Sequence, residues 1–251
     1  MEKNKPGIKL NVFTTPDEVL QHLADYFVYL ANQNIEVRGR FAVALSGGNS
    51  PKKLYELLAS DAYKGQVDWD KVDFFFGDER YVPQTAPESN YLMAKLALFE
   101  PLQIPSTHVF AVDTELEPAQ AALAYATNIQ SYFNGLPARF DLVLLGLGDN
   151  AHTASLFPHT PVLHEQASTV KEAFLPEQQV YRITLTAPLI NQAQAVAFLV
   201  YGQDKALAVQ QILEADRDIE QYPAQLIAPK EGDLQWFLDS AAASELSEVM
   251  S

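Results

Sequence analysis

Short, almost unbroken apolar runs constrain this chain more than any other feature: Phe41–Leu45 (FAVAL), Val72–Phe76 (VDFFF), residues 140–145 (FDLVLL) and residues 195–201 (AVAFLVY). A strand covered on both faces loses the alternation of a half-exposed strand, and that is the habit of parallel sheets flanked by helices. A further run, VYRITLT at 180–186, completes the set of strands read with assurance. Helical patterns fill the intervals. Thr15-Pro16-Asp17-Glu18 reads as a capping box with proline at the first helical position, followed by Val19, Leu20, Leu23, Phe27, Leu30 and Ala31 at helical spacing.

Other helices are expected after Ser46-Gly47-Gly48-Asn49 with Ser50 as cap and Pro51 behind it, from Ser89 through Ala97, over 117–133, over 188–192 and over 204–213. The expected fold class is α/β, a single doubly wound, mostly parallel sheet flanked by helices, occupying residues 1–251 as one domain. Ligands of such sheets bind outside the carboxyl ends of the strands. LQWFL at 234–238 reads equally as an edge strand or a helix start, and AAASELSEVMS at the end reads as a fraying helix.

Composition closes several routes. The chain has no Cys, which excludes disulfides, thiolate ligands and cysteine nucleophiles. None of its five His lies in an H-E-x-x-H or H-x-H pattern, so no metal is expected. The first residues, MEKNKPGIKL, lack the apolar centre of a signal peptide, and no run approaches the roughly 20 apolar residues of a membrane span. A cytoplasmic protein without membrane contact is expected. A formal net charge of -15 argues against nucleic acid as a partner.

With only 17 Lys and Arg in the chain, Arg80, Arg182 and Lys205 stand out, because each lies at or beside the end of an apolar run. They mark an expected anion pocket. Ser46-Gly47-Gly48-Asn49, between a strand and a helix start, offers backbone N–H groups and the positive end of a helix dipole to a phosphate. It matches neither the Walker loop nor G-x-G-x-x-G, so a nucleotide is not implied. The stretch LLGLGDNAHTASLFP carries a strand into a loop where Gly146 and Gly148 permit close approach and His152 follows at once. Ser155, three residues on, lacks a G-x-S-x-G setting and reads as a turn hydroxyl rather than a nucleophile.

In combination, ALSGGNSP, FFFGDERYVP followed by ESNY, LGLGDNAHTASLFP, YRITLTAPLINQA, FLVYGQDKA, YPAQLI and LQWFLD resemble the 6-phosphogluconolactonases, across almost the whole chain. That superfamily, of sugar-phosphate isomerase-like, Rossmann-like fold, also contains the glucosamine-6-phosphate deaminases. The resemblance implies hydrolysis of 6-phosphoglucono-δ-lactone to 6-phosphogluconate, in the oxidative pentose phosphate pathway, without a cofactor. It implies His152 as general base, Ser46, Gly47, Gly48, Asn49, Arg182 and Lys205 around the phosphate, and Asp78 and Arg80 at the sugar end. Arg80 and the amides of residues 148–153 are the expected oxyanion donors. A monomer or weak homo-oligomer is expected.

One departure from the family pattern is informative. Where the family most often has aspartate and glycine before H-T, this chain has Asn150 and Ala151. An asparagine orients an imidazole without neutralising its charge, which implies a lowered His152 pKa unless Asp149 substitutes. Two alternatives remain. A glucosamine-6-phosphate deaminase would place an asparagine and a glutamate after the phenylalanine that follows the histidine, whereas this chain reads HTASLFPHT with no acid before Glu165. A non-catalytic sugar-phosphate sensor would need a basic recognition helix, yet only about ten residues precede the first strand-like stretch.

Overall fold

The computed structural model of the chain describes residues 7–247. Six parallel strands form the central sheet: β1 (Ile8–Phe13), β2 (Phe41–Leu45), β3 (Val72–Phe76), β5 (Leu142–Leu145), β8 (Ala195–Val200) and β9 (Asp233–Asp239), in the order β1-β9-β8-β5-β2-β3. A smaller antiparallel sheet adds β4 (Asp78–Arg80), β7 (Val180–Leu185) and β6 (Val170–Leu175). The smaller sheet was not expected. Gly77 joins the two, donating its N–H to Leu45 O at 2.8 Å and accepting from Leu185 N at 2.8 Å.

The unbroken apolar runs have a direct cause in the layering. One set of alternate residues, including Val43, Leu45, Phe74, Phe76, Leu142 and Leu144, packs beneath α1 (Pro16–Arg38) and α2 (Asn49–Leu58). The other set, including Ala42, Ala44, Phe75, Val143, Phe198 and Trp236, packs against α5 (Pro118–Tyr132) and α7 (Ala206–Glu214). Aromatic rings fill the second layer: Phe75 stacks on Phe110 at 4.4 Å and meets Tyr132 and Phe140 edge-on, while Trp236 stacks on Phe198 at 4.0 Å.

The helix boundaries follow local chemistry. Thr15 caps α1 with a full capping box, and Gly39, at φ 76°, ends it. Ser50 does not cap α2; Gly48 precedes Asn49 at φ 102°, and Ser50 and Pro51 sit inside the first turn. No side chain caps this end. Ser89 does cap α3 (Asn90–Ala94), which continues through a π turn at Lys95–Phe99 into α4 (Glu100–Leu102). The short helix expected near 188–192 is α6 (Ala187–Ile190).

The two ambiguous C-terminal pieces resolve differently. LQWFL lies within β9, between β1 and β8, so it is an inner strand rather than an edge. Residues 241–245 form turns instead of a helix; the Asp239 carboxylate takes the Ala242 N–H at 2.7 Å and the Gly202 N–H at 3.0 Å. Residues 248–251 lie outside the described residues. No helix among the described residues is long and apolar enough to cross a membrane.

Two buried tyrosines hold open the carboxyl ends of adjacent strands. The Tyr55 hydroxyl accepts from Ser46 N at 2.9 Å and donates to Ser46 O at 2.8 Å. Tyr125 brackets Phe76 in the same way, at 2.7 and 3.1 Å. Each hydroxyl thus serves the backbone where the ladder ends, which frees the next residues to turn into a loop. Because a buried polar group left unpaired costs about 1–3 kcal/mol, Tyr55→Phe and Tyr125→Phe should each lose that much stability in urea unfolding.

Candidate active site

The chain order of the sheet reverses between β2 and β5. From β2 the next strand lies on one side, from β5 the succeeding strands lie on the other, and the loops leaving these neighbours diverge around a crevice. Ser46 ties the two loops, its Oγ accepting from Gly146 N at 3.2 Å. A cavity of about 370 Å3 opens here, within the range of small-ligand sites. It brings together Ser46, Gly47, Gly48, Asn49, Asp78, Arg80, His152, Arg182 and Lys205. Asn150 stands behind the imidazole rather than on the cavity wall.

Cations collect on one side. Antiparallel pairing sets Arg80 opposite Arg182, although like charges facing across strands repel. Neither forms an ion pair with a carboxylate among the described residues; Arg80 Nη1 is anchored on Glu88 O at 2.7 Å. Burial and the neighbouring Arg80 hold the Arg182 pKa below its ordinary value, against the opposing charges of Asp78 and Glu79. Lys205 belongs to a 3-10 turn (Gln203–Lys205) ahead of α7 rather than to the first turn of the helix, and pairs with Asp204 at 3.1 Å. The uncapped start of α2 adds free N–H groups and its dipole.

On the other side stands His152. Its Nδ1 bonds to Asn150 Oδ1, and the same oxygen accepts the His152 backbone N–H at 3.3 Å. Because that second donor fixes the amide's orientation, the oxygen faces Nδ1, Nδ1 carries the proton, and Nε2 keeps its lone pair. The His152 pKa is lowered to about 4, first by burial and then by Lys205 and Arg182, against the opposing charges of Asp78 and Asp149. Burial, more than the missing aspartate, is the main cause; Asn150 leaves it uncompensated. Asp149 is exposed, and its Oδ1 accepts the Asn150 N–H at 3.1 Å.

Four of the loop amides expected as oxyanion donors are engaged within the loop. The amides of Gly148, Asn150, Ala151 and His152 all donate within the loop, to His152 O, Asp149 Oδ1, Gly148 O and Asn150 Oδ1. These bonds hold the loop's shape. Ala151 adopts φ 61°, a left-handed conformation that costs an ordinary residue about 1–2 kcal/mol and explains the glycine usual in the family. Its methyl is buried, and its carbonyl accepts from Ala224 N at 3.0 Å.

A polar layer beneath the cavity was not legible in advance. Ser155 is buried and donates to Asp78 Oδ2 at 2.6 Å, so it orients a carboxylate instead of merely finishing a turn. Glu79 is also buried and accepts from Arg80 N, Asn90 N and Tyr91 N at 2.7–2.8 Å. Burial raises its pKa, while those backbone donors oppose the rise. Asn90 in turn donates to Asp78 O at 2.9 Å and occupies the space a side chain at Gly47 would need. Glycine at 47 is therefore required by packing.

The crevice at a sheet reversal, the paired arginines and the apposed histidine define an α/β protein whose site sets cations opposite an imidazole. Residues 14–236 match the family model described as glucosamine-6-phosphate isomerases/6-phosphogluconolactonase. The 6-phosphogluconolactonase of Nostoc is 40% identical over 96% of this chain and 100% of its own length. The rat 6-phosphogluconolactonase is 38% identical over 96% of this chain and 95% of its own. The solved 6-phosphogluconolactonase of Trypanosoma cruzi superposes with a TM-score of 0.84 at 29% identity, covering 96% of this chain and 97% of that one. The chain belongs to the glucosamine-6-phosphate isomerase/6-phosphogluconolactonase family.

Replacing Asn150 by aspartate would set a negative charge against Nδ1. Followed by NMR, the His152 titration should move up from about 4 by about one to two units in Asn150→Asp. An unmoved titration would show that the amide does not govern the ring's charge.

Proposed function

We propose that this chain is a 6-phosphogluconolactonase that hydrolyses 6-phosphoglucono-δ-lactone to 6-phosphogluconate, with His152 as general base. The observation that carries the reading is a neutral imidazole, its Nδ1 engaged by Asn150, sharing one cavity with Arg80, Arg182 and Lys205. The start of α2, Arg182 and Lys205 hold the phosphate. Asp78, fixed by Ser155 and Asn90, meets the sugar hydroxyls. Nε2 takes a proton from the water attacking C1, Arg80 stabilises the oxyanion, and the proton passes to the ring oxygen as the C1–O bond breaks.

Substrate binding prepares the base. A phosphate dianion neutralises Arg182 and Lys205, two of the charges that depress the His152 pKa, and so makes the imidazole a better proton acceptor in the complex. The reaction needs only a lactone and water, and the enzyme is read as cytoplasmic, one domain, monomeric or weakly self-associating.

Lactone hydrolysis, measured above spontaneous decay, should fall by about 10²–10⁴-fold in His152→Ala. Activity within threefold of the parent enzyme would remove His152 from the mechanism. Arg182→Ala should raise KM about tenfold or more, since hydrogen bonds to charged groups are worth about 1.5–3 kcal/mol. Addition of 6-phosphogluconate should raise the His152 pKa above about 4, read by NMR. Glucosamine 6-phosphate serves as the control substrate: ammonia release from it would favour a deaminase instead.

A further inference from the structure

An aromatic side chain on the cavity wall has no part in the mechanism above. The Phe157 ring lies on the His152 imidazole with centroids 4.0 Å apart and planes 19° from parallel. The Gly148 main chain also crowds the ring: a Cβ built there would fall among the imidazole atoms Nδ1 and Cε1. The stacked Phe157 ring and the close Gly148 main chain together form a slot around the imidazole. A hydrogen bond from Nδ1 to Asn150 fixes one atom of the ring, but a bond to one atom leaves the ring's plane free to tilt.

Resting on the lactonase reading, we propose that Phe157 is a positioning residue for the reaction, forming with Gly148 the slot that sets the plane of the His152 ring and turns Nε2 toward the ligand.

The slot is rigid because its walls are anchored elsewhere. On one side Gly148 N donates to His152 O at 2.9 Å, and Ala151 N donates to Gly148 O at 3.1 Å. On the other, the turn leading to Phe157 is tied down at three points. Thr153 Oγ1 donates to Gly146 O at 2.8 Å, Ser155 N to Thr184 Oγ1 on β7 at 3.2 Å, and Ser155 Oγ to Asp78 on β4 at 2.6 Å. Ala154, at φ 47°, bends the chain between them. The small sheet and the loop just after β5 thus fix the place of the aromatic wall.

An apolar wall also keeps water from one face of the imidazole, and burial is the first cause of its lowered pKa. The charged groups bearing on the ring are Asp78 from β4, Asp149 from its own loop, Arg182 from β7 and Lys205 from the turn before α7. None of these changes when Phe157 is replaced, so a shift on replacement reports the wall itself.

The test compares Phe157→Leu, Phe157→Tyr and the parent protein by long-range 1H–15N NMR of the His152 ring across pH, alongside kinetics on freshly made lactone. In Phe157→Leu the His152 pKa should rise by about a unit or more as water reaches the ring. Its kcat should drop about tenfold or more, with KM within about twofold because the phosphate cradle is untouched. Phe157→Tyr, which keeps the ring, should restore the parent titration and Nδ1–H tautomer. A leucine variant that titrates and turns over like the parent overturns the proposal.

If Phe157→Leu does not fold, Gly148→Ala attacks the other wall, and an unchanged His152 titration there overturns it equally. Should the parent protein not accelerate lactone hydrolysis, the lactonase reading fails on its own, and the titrations still decide whether Phe157 sets the ring.

Discussion

The site depends on the parting of two adjacent parallel strands. β2 and β5 run side by side, buried on both faces, and their chains leave the sheet in opposite directions. The gap needs no excavated core, only strand ends whose backbone groups are satisfied in other ways. Tyr55 satisfies Ser46, and Ser46 reaches across to Gly146, so one buried hydroxyl and one serine link the glycine loop after β2 to the histidine loop. The small antiparallel sheet then closes the mouth through Gly77, carrying both arginines to a position the parallel sheet alone could not supply.

The electrostatics are uneven by design of the fold. In a chain of formal net charge -15, two guanidiniums, an ammonium and a helix start face one cavity, together with the Asp78 carboxylate. A histidine beside such a cluster is driven toward its neutral form, which is the form a base needs. Desolvation acts in the same direction. Substituting asparagine for the family's usual aspartate keeps the tautomer while removing the charge that would have opposed both effects.

The parallel core was legible because residues on both faces of β2, β3, β5 and β8 are apolar, which leaves few alternatives to a helix-covered sheet. β4 and β6 were not: one is three residues long, and the other, VKEAFL, mixes charge with apolar residues because it lies at the edge of the small sheet. β9 was ambiguous because Gln235, buried in its middle, reads as a solvent-facing residue; its side chain instead accepts from Asn11 across the sheet. In the site, cations next to strand ends and a histidine after glycines were visible from residue type alone. Glu79, Asn90, Ser155, Tyr55 and Phe157 were not, since their roles arise from partners brought together by the fold. An aromatic or an acid in a run such as GDERYVP or SLFP reads equally well as packing or surface.

The confrontation of Arg80 with Arg182 has a consequence for the molecule's endurance. Strands β4 and β7 hold two like charges opposite one another, a repulsion that Asp78 and Glu79 offset at Arg182. An anion seated there relieves that repulsion and is bound by the folded chain alone, which shifts the unfolding equilibrium by mass action. Resistance to unfolding then depends on how much of such an anion is present.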